Sequence, residues 1–471
     1  MHGIGWLSIL PPIIAISLAI RTKQVYPSLG LYIWLGWTLI HGGNPVRGLT
    51  ASVDTFLLAV SQPANLRTLV FSALVGSMIL FVQRSGGMQG FIRWVEQKGV
   101  VKTRRSVRLL SVAVSLPLFL ESNFGLLVSG SVARPLYDKF RISREKLSYV
   151  IDATCAPKCI LIPLNGWGAY VIGLLAAEGI PKPVSLLAAT IPMNFYAILA
   201  LLLVLAVVWF DLDYGPMRRA ERRTREEGKF LADGAKPLVS SEVSMAGPRE
   251  GIPERAVNMV LPLVCMVLTV FFVLYTTGSG DMMTGDGSKA VLWGVIVGLL
   301  VGAIAYRIQG IMTLPELSDS LIEGIKGLTP LVVILALAFT IAATTRALGT
   351  GEFVAGAAQA TLHPGFVPAL IFCLACFIAF STGTSWGTFA IMIPIVLPMA
   401  RILDLNLPLV LGAAMGGGIF GDHCSPISDS TIVASMASAT DHIEHVRTQL
   451  PYALVAAAGA LLLFLIFGFL S

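Results

Sequence analysis

Asp422 and Asp429 stand seven residues apart in a stretch, Gly421-Asp422-His423-Cys424-Ser425-Pro426-Ile427-Ser428-Asp429-Ser430, that combines carboxylates, hydroxyls and a helix-breaking proline. Oxygen donors of this kind, with backbone carbonyls, suit an alkali cation. Burial disfavours the charged form of a carboxylate and a bound cation favours it, so one site can hold a proton or a cation in turn. Three further segments concentrate polar side chains in otherwise apolar sequence. They are Glu121-Ser122-Asn123, the pair Thr384-Ser385, and the set Asp152, Thr154, Lys158 and Asn165. Ionisable groups at membrane depth are costly and usually line a cavity or an ion path.

Each residue also has a plainer reading. Asp429 or Ser428 stands just before residues 430–437 and would serve equally as a helix cap. Lys158 has four readings: partner of a carboxylate (Asp152, Glu121 or Asp422), substitute for a coupling cation, anion contact, or a side chain snorkelling to the interface. His423 beside Cys424 suggests a metal pair, but a hydrogen-bonded structural histidine is the default. His442 and His445 fall in residues 441–447, expected as a solvated loop that would at most sense pH. The six cysteines all lie in apolar segments and behave as small hydrophobes, so no disulfide framework is expected. Cys373-x-x-Cys376 is expected to be packed thiol rather than a redox or zinc pair.

The elements that must carry these residues are membrane spans. Of 471 residues, 55% are hydrophobic and 13% charged, with a mean hydropathy of +0.79. A soluble domain carries about twice that charged share. The apolar residues recur in blocks of roughly 20, enough to cross about 30 Å of hydrocarbon as helix. This excludes a soluble enzyme on a single anchor. Residues 1–20 lack a basic start and a cleavage site, and run into a second apolar block; they are expected as the first span.

Residues 6–20, 26–41 and 66–83 are expected as spans, followed by an amphipathic stretch at 88–97. Residues 106–120 and 124–136 are arms of about 22 Å each around the tip at Glu121, shorter than a span and flanked by basic clusters, as in a re-entrant hairpin. A broken helix follows over 146–177, interrupted from Ala156-Pro157-Lys158 and resuming after Pro163-Leu164-Asn165-Gly166, and residues 183–209 close the half. The second half repeats this order. Spans at 256–276, 290–306 and 328–345 and a short helix at 352–360 precede hairpin arms at 368–380 and 389–400. A broken helix at 407–437, interrupted by Gly416–Gly421 and Pro426, leads to a closing span at 451–470. A shift of 263 residues aligns Gly86 with Gly349, Ser122 with Ser385, Pro135 with Pro398 and Pro163 with Pro426.

The expected fold is therefore an all-α polytopic membrane protein of two inverted repeats, residues 1–210 and 256–471, with about ten crossings and two hairpins. The hairpins fall near 106–137 and 368–400. Five crossings per half force the inversion. Residues 211–255, with nine basic and nine acidic side chains, form a cytoplasmic linker. Placing both termini in the periplasm puts 26 of the 33 Lys and Arg on the cytoplasmic side, 6 outside and Lys158 within the membrane.

Phe380-Ser381-Thr382-Gly383-Thr384-Ser385-Trp386-Gly387-Thr388-Phe389-Ala390, Gly421 through Thr431, Asp441-His442-Ile443 and Val446-Arg447-Thr448-Gln449-Leu450-Pro451-Tyr452-Ala453 resemble the NhaC sodium/proton antiporter family. So does Phe140-Arg141-Ile142-Ser143-Arg144-Glu145-Lys146-Leu147 with Ile151-Asp152-Ala153-Thr154. The likeness spans roughly residues 66–470. It implies a secondary transporter of the bacterial inner membrane that exchanges sodium or lithium for protons, its hairpins and broken helices meeting at the midplane. The transported ions are then Na+ and H+, with Asp422 and Asp429 as the Na+ ligands and no cofactor. Some members of the wider superfamily carry organic acids. Lys158 and helix N-termini facing a carboxylate would suit such an anion, or an amino acid. The expected partners are the lipid bilayer and the small substrate, with no nucleic acid, and homodimers are common for such folds. No base-orienting pattern surrounds Ser425 and His423, so an intramembrane enzyme is not expected.

Overall fold

The computed structural model describes residues 5–22, 24–97, 103–116, 118–119, 122–237, 252–361, 363–426 and 428–470. Glu121 lies outside them, as do the side chains of Asn123 and Asp429. The described residues are helical apart from short connections and one isolated β-bridge. The first half runs α1 (Leu10–Thr22), α2 (Val25–Ile40), α3 (Pro45–Ser61), α4 (Pro63–Arg84), α5 (Gly87–Gln97), α6 (Arg104–Ser115), α7 (Ser122–Lys139), α8 (Arg144–Leu161), α9 (Gly166–Ala177), α10 (Pro183–Thr190) and α11 (Phe195–Phe210). The linker forms α12 (Gly215–Glu227). The second half runs α13 (Val257–Thr277), α14 (Gly287–Ile308), α15 (Leu314–Leu348), α16 (Thr350–Thr361), α17 (Val367–Thr382), α18 (Ser385–Ile402), α19 (Leu407–Cys424), α20 (Asp429–Ser438) and α21 (His442–Leu470).

Among the described residues, seven helices are long and apolar enough to cross a membrane, or nine if each bent pair is one span. The chain is a multi-pass membrane protein. Helices α5 to α9 begin at residues 87, 104, 122, 144 and 166, and α16 to α20 at 350, 367, 385, 407 and 429. All five pairs of starts differ by the same 263 residues.

Both broken helices are interrupted later than expected. Helix α8 continues through Ala156, Pro157 and Lys158 to Leu161, and the bend of 40° into α9 falls at residues 162–165, where Pro163 stands. A proline inside a spanning helix costs one backbone bond that surrounding helices can offset. Helix α19 likewise runs through the glycine cluster and ends at Cys424, before Pro426. The glycines serve packing instead. A Cβ on Gly417 would lie 2.5 Å from the Phe372 carbonyl of α17, and one on Gly421 would collide with Phe380. Small residues let membrane helices approach at backbone distance, where van der Waals contact drives association.

Four further expectations need correction. Residues 45–61 form α3, an unforeseen helix capped by Asn44, whose side chain accepts from Val46 and Arg47 N–H groups at 3.1 Å. The closing span of the first half is interrupted at residues 191–194, a short 3-10 turn around Pro192. Residues 441–447 are not a loop, because α21 starts at His442. Cys373 is exposed on α17 rather than packed.

Helices α8 and α19 form the interior. Every residue from Glu145 to Ile160 is buried, as is every residue from Leu409 to Cys424 except Phe420. Their starts are set by local capping: Ser143 Oγ accepts from Lys146 N at 3.3 Å, and Asn406 Oδ1 from Leu409 N at 3.1 Å. The linker helix α12 lies across the ends of α6 and α8. Glu221 pairs with Arg104 at 2.7 Å and accepts from Ser143 N, Arg223 pairs with Glu145 at 2.6 Å, and buried Lys146 meets Asp213 at 2.7 Å.

Candidate functional site

The second hairpin turns at Gly383, whose φ of 70° places it in the left-handed region that favours glycine. Thr384 follows as the N-cap of α18, its hydroxyl accepting from Gly387 N at 3.5 Å. That turn aims Ser385 at the last turn of α19, where its hydroxyl donates to Asp422 Oδ2 at 2.5 Å. The second carboxylate oxygen accepts from Ser428 Oγ at 2.6 Å. Ser428 is the N-cap of α20, yet its hydroxyl turns to Asp422 and Ser430 rather than capping the helix. Ser425 spans the break by donating to Phe380 O at 2.7 Å, which ties it to the hairpin arm α17. Asp422 is 3% exposed, and Ser385 and Ser428 are wholly buried. The result is a carboxylate between two hydroxyls whose oxygens keep lone pairs, a set of hard ligands sized for a small cation.

A second cluster adjoins it through His423. Gln449 Nε2 donates to Asp152 Oδ2 at 2.9 Å and also to the His423 carbonyl. The His423 ring meets Tyr196 at 2.8 Å through Nδ1, while its Nε2 is buried without a hydrogen-bond partner among the described residues. His445 Nε2 lies 2.9 Å from Gln449 Oε1 and 3.7 Å from Asp152 Oδ2. Thr431 Oγ1 reaches the carbonyls of Asp422 and His423 at 3.3 and 3.4 Å, joining the two clusters across the break.

The first half builds a different arrangement. Lys158 sits in the last turn of α8, 2% exposed, and its Nζ donates to the Ser115 carbonyl at the end of α6 and lies 3.5 Å from Cys155 Sγ. Asn165 caps α9 by accepting from Gly168 N at 3.0 Å. Its amide donates to Phe119 O at 3.0 Å and Cys159 O at 2.8 Å, bracing the break against the hairpin. Thr154 bonds back to Val150 O within α8 and takes no part in the cluster. Ser122 is buried at the start of α7.

Among the described residues, the structure brings Asp422, Ser385, Ser428, Ser425, His423 and Asp152 into one polar network. Lys158 and Asn165 belong to a separate brace, and Thr384 acts as a cap. Asp429 is the first residue of α20, and Ser428 rather than Asp429 occupies the cap position. Tyr196, Thr431, Ser435 and Gln449 went unforeseen, and His445, expected in a solvated loop, is buried in the cluster. A signal for the placement of His445 and Gln449 existed: Asp441 followed by Glu444 is an N-cap pattern, and it puts both at helical spacing on one face with His442. Asp441 Oδ1 does accept from Ile443 N at 2.9 Å and Glu444 N at 3.1 Å.

Comparison with known proteins agrees with a transporter. The Na+/H+ antiporter family model matches residues 180–469. A protein of unstated function from Haemophilus influenzae is 32% identical over 98% of this chain and 91% of its own length. The malate-2H(+)/Na(+)-lactate antiporter of Bacillus subtilis is 31% identical, over 33% of each chain. Among solved structures, the YdaH transporter of Alcanivorax borkumensis superposes with a TM-score of 0.51 at 15% identity, covering 89% of this chain and 88% of that one, a likeness of fold alone. The chain belongs to the Na+/H+ antiporter family.

Proposed function

We propose that the protein exchanges sodium or lithium for protons across the bacterial inner membrane, with Asp422 as the group that binds cation and proton in turn. The observation that carries this reading is the buried carboxylate between Ser385 and Ser428 at the junction of hairpin and broken helix. A charge there is costly unless paired, so the site favours either a bound cation or a protonated acid. The two serine hydroxyls, each keeping oxygen lone pairs, are the additional ligands beside the carboxylate. The five matched helix starts support two repeats, inverted with respect to one another. The distribution of Lys and Arg supports periplasmic termini and a cytoplasmic α12. Hairpins and broken helices would then move together between the two faces. Sodium-induced dissipation of a pH gradient in proteoliposomes tests this. A response to sodium or lithium that D422N abolishes is expected; no response to either ion contradicts it.

A second reading is favoured by Lys158. Among the described residues no carboxylate pairs with it, although it is buried. The Bacillus relative is named for malate and lactate. A small organic anion carried with sodium or protons would place its carboxylate near this ammonium. A carboxylate-dependent flux that K158M removes would favour it over cation exchange.

A further inference from the structure

Beside the cation site lies a chain of hydrogen bonds whose donors and acceptors do not balance with neutral side chains. His442 stands at the rim, on the face that carries α12, and its Nε2 is 2.8 Å from the Pro426 carbonyl. Its Nδ1 is 3.0 Å from Ser435 Oγ. Ser435 Oγ is in turn 2.9 Å from His445 Nδ1, and His445 Nε2 is 2.9 Å from Gln449 Oε1.

The orientation of Gln449 is settled by its neighbours. Its nitrogen faces the His423 carbonyl, which only accepts, so its oxygen must face His445. His445 Nε2 therefore carries a hydrogen. His442 Nε2 carries one too, because the Pro426 carbonyl only accepts. Ser435 has a single hydroxyl hydrogen but faces two Nδ1 atoms. At least one of those contacts must be an N–H donated to the serine. Two imidazoles thus need three N–H hydrogens, and two neutral rings supply only two. Should Ser435 donate instead to Thr431 O, 2.8 Å away, both Nδ1 atoms would need hydrogens and the deficit would grow.

We propose that His442, Ser435 and His445 form a proton relay that carries one extra proton and delivers it to Asp152 inside the membrane. In the loaded state His442 is the imidazolium. Its Nδ1–H donates to Ser435, whose hydroxyl donates to His445 Nδ1. Transfer moves the His442 proton to Ser435 Oγ as the serine proton passes to His445 Nδ1. His445 Nε2 then releases its hydrogen to Asp152 Oδ2, after the present separation of 3.7 Å closes by about 1 Å to hydrogen-bond length. His442 loses its charge and Asp152 its own, so charge and hydrogens balance. The charged groups facing the relay are Asp152 and Arg144 on α8, the latter held by Asp138 at 2.9 Å, and Asp441, Glu444 and Arg447 on α21 itself. His423 on α19 and Tyr196 on α11 face its inner end.

The relay deepens the exchange reading and rests on it, so its test has two arms. In the full-length protein in nanodiscs with nitrogen-labelled histidine, an imidazolium resonance is expected that H442Q removes. In proteoliposomes, S435A is expected to slow sodium-driven proton flux about tenfold or more. S435T, which keeps the hydroxyl, should restore it, and sodium-for-sodium counterflow should be unchanged in both. Wild-type proton flux in S435A, or an H442Q spectrum identical to wild type, would overturn the relay. If wild type shows no sodium response at all, the exchange reading fails and the relay stands or falls on the imidazolium resonance.

Discussion

The two halves place their polar residues on the same frame and use them in opposite ways. By the 263-residue shift Ser122 corresponds to Ser385 and Asn165 to Ser428, and each of the latter two is an N-cap after a break. Cys159 stands where the second half has Asp422, and Lys158 where it has Gly421. In the first half the break is closed by donors: Lys158 and Asn165 give hydrogens to carbonyls of the hairpin, which satisfies them. In the second half the break is built around an acceptor, a carboxylate that gathers hydroxyls and can take a cation. A donor brace holds two elements together through groups that give hydrogens to carbonyls rather than accept a positive ion. An acceptor cluster becomes complete only with a proton or a cation. On the proposed reading the cation is held in the second half, and the first half contributes Asp152 and the brace that fixes the geometry.

The largest effect should come from exchanging the central residues of the two halves. D422N should lower sodium-driven proton flux by about a hundredfold or more, the range of a lost proton-transfer group. C159A at the matching position should stay near wild type in the same fluorescence-quench assay. Next, S385A removes a hydroxyl bonded to a charged group, worth about 1.5–3 kcal/mol, and should raise the apparent sodium KM by roughly tenfold or more. S122A should leave it within a factor of about two, which the same titration reads. K158M removes the charged donor to the Ser115 carbonyl, which keeps Leu118 N–H at 3.1 Å, and a hydrogen bond from a charged group contributes about 1.5–3 kcal/mol. It should therefore lower the unfolding temperature while sodium exchange persists. Loss of exchange with unchanged stability would move Lys158 from brace to binding site. The smallest effect on exchange belongs to N165A, which loses a helix cap worth about 1 kcal/mol and two amide hydrogen bonds to carbonyls and should lower the unfolding temperature with no change in sodium KM.

Much of this contrast could be read from the sequence, and the rest could not for identifiable reasons. Asp422, Ser385 and Ser428 stood out because polar side chains are rare in so apolar a chain. The positions of the breaks were misjudged at both sites, by the same error. Pro157 and the Gly416–Gly421 run are weak helix formers in water, but surrounded by other helices they remain helical. Each break lies at the later end of the stretch expected for it, at Pro163 and Pro426, next to the cap residues Asn165 and Ser428. The second cluster was missed because Gln449 and His445 reach the site from α21, and that packing depends on tertiary contacts that no local pattern reports. The role of Lys158 was open for the same reason: its partner is a backbone carbonyl, which no sequence motif marks.

The central claim is that one buried carboxylate in the second half holds cation and proton in competition. The most direct test is calorimetric titration of sodium into the purified protein in buffers of different ionisation enthalpy, which counts protons released per sodium bound. The account predicts that sodium binding releases a proton across the neutral range and that D422N neither binds sodium nor releases protons. Sodium binding without proton release, or release that survives D422N, would contradict it.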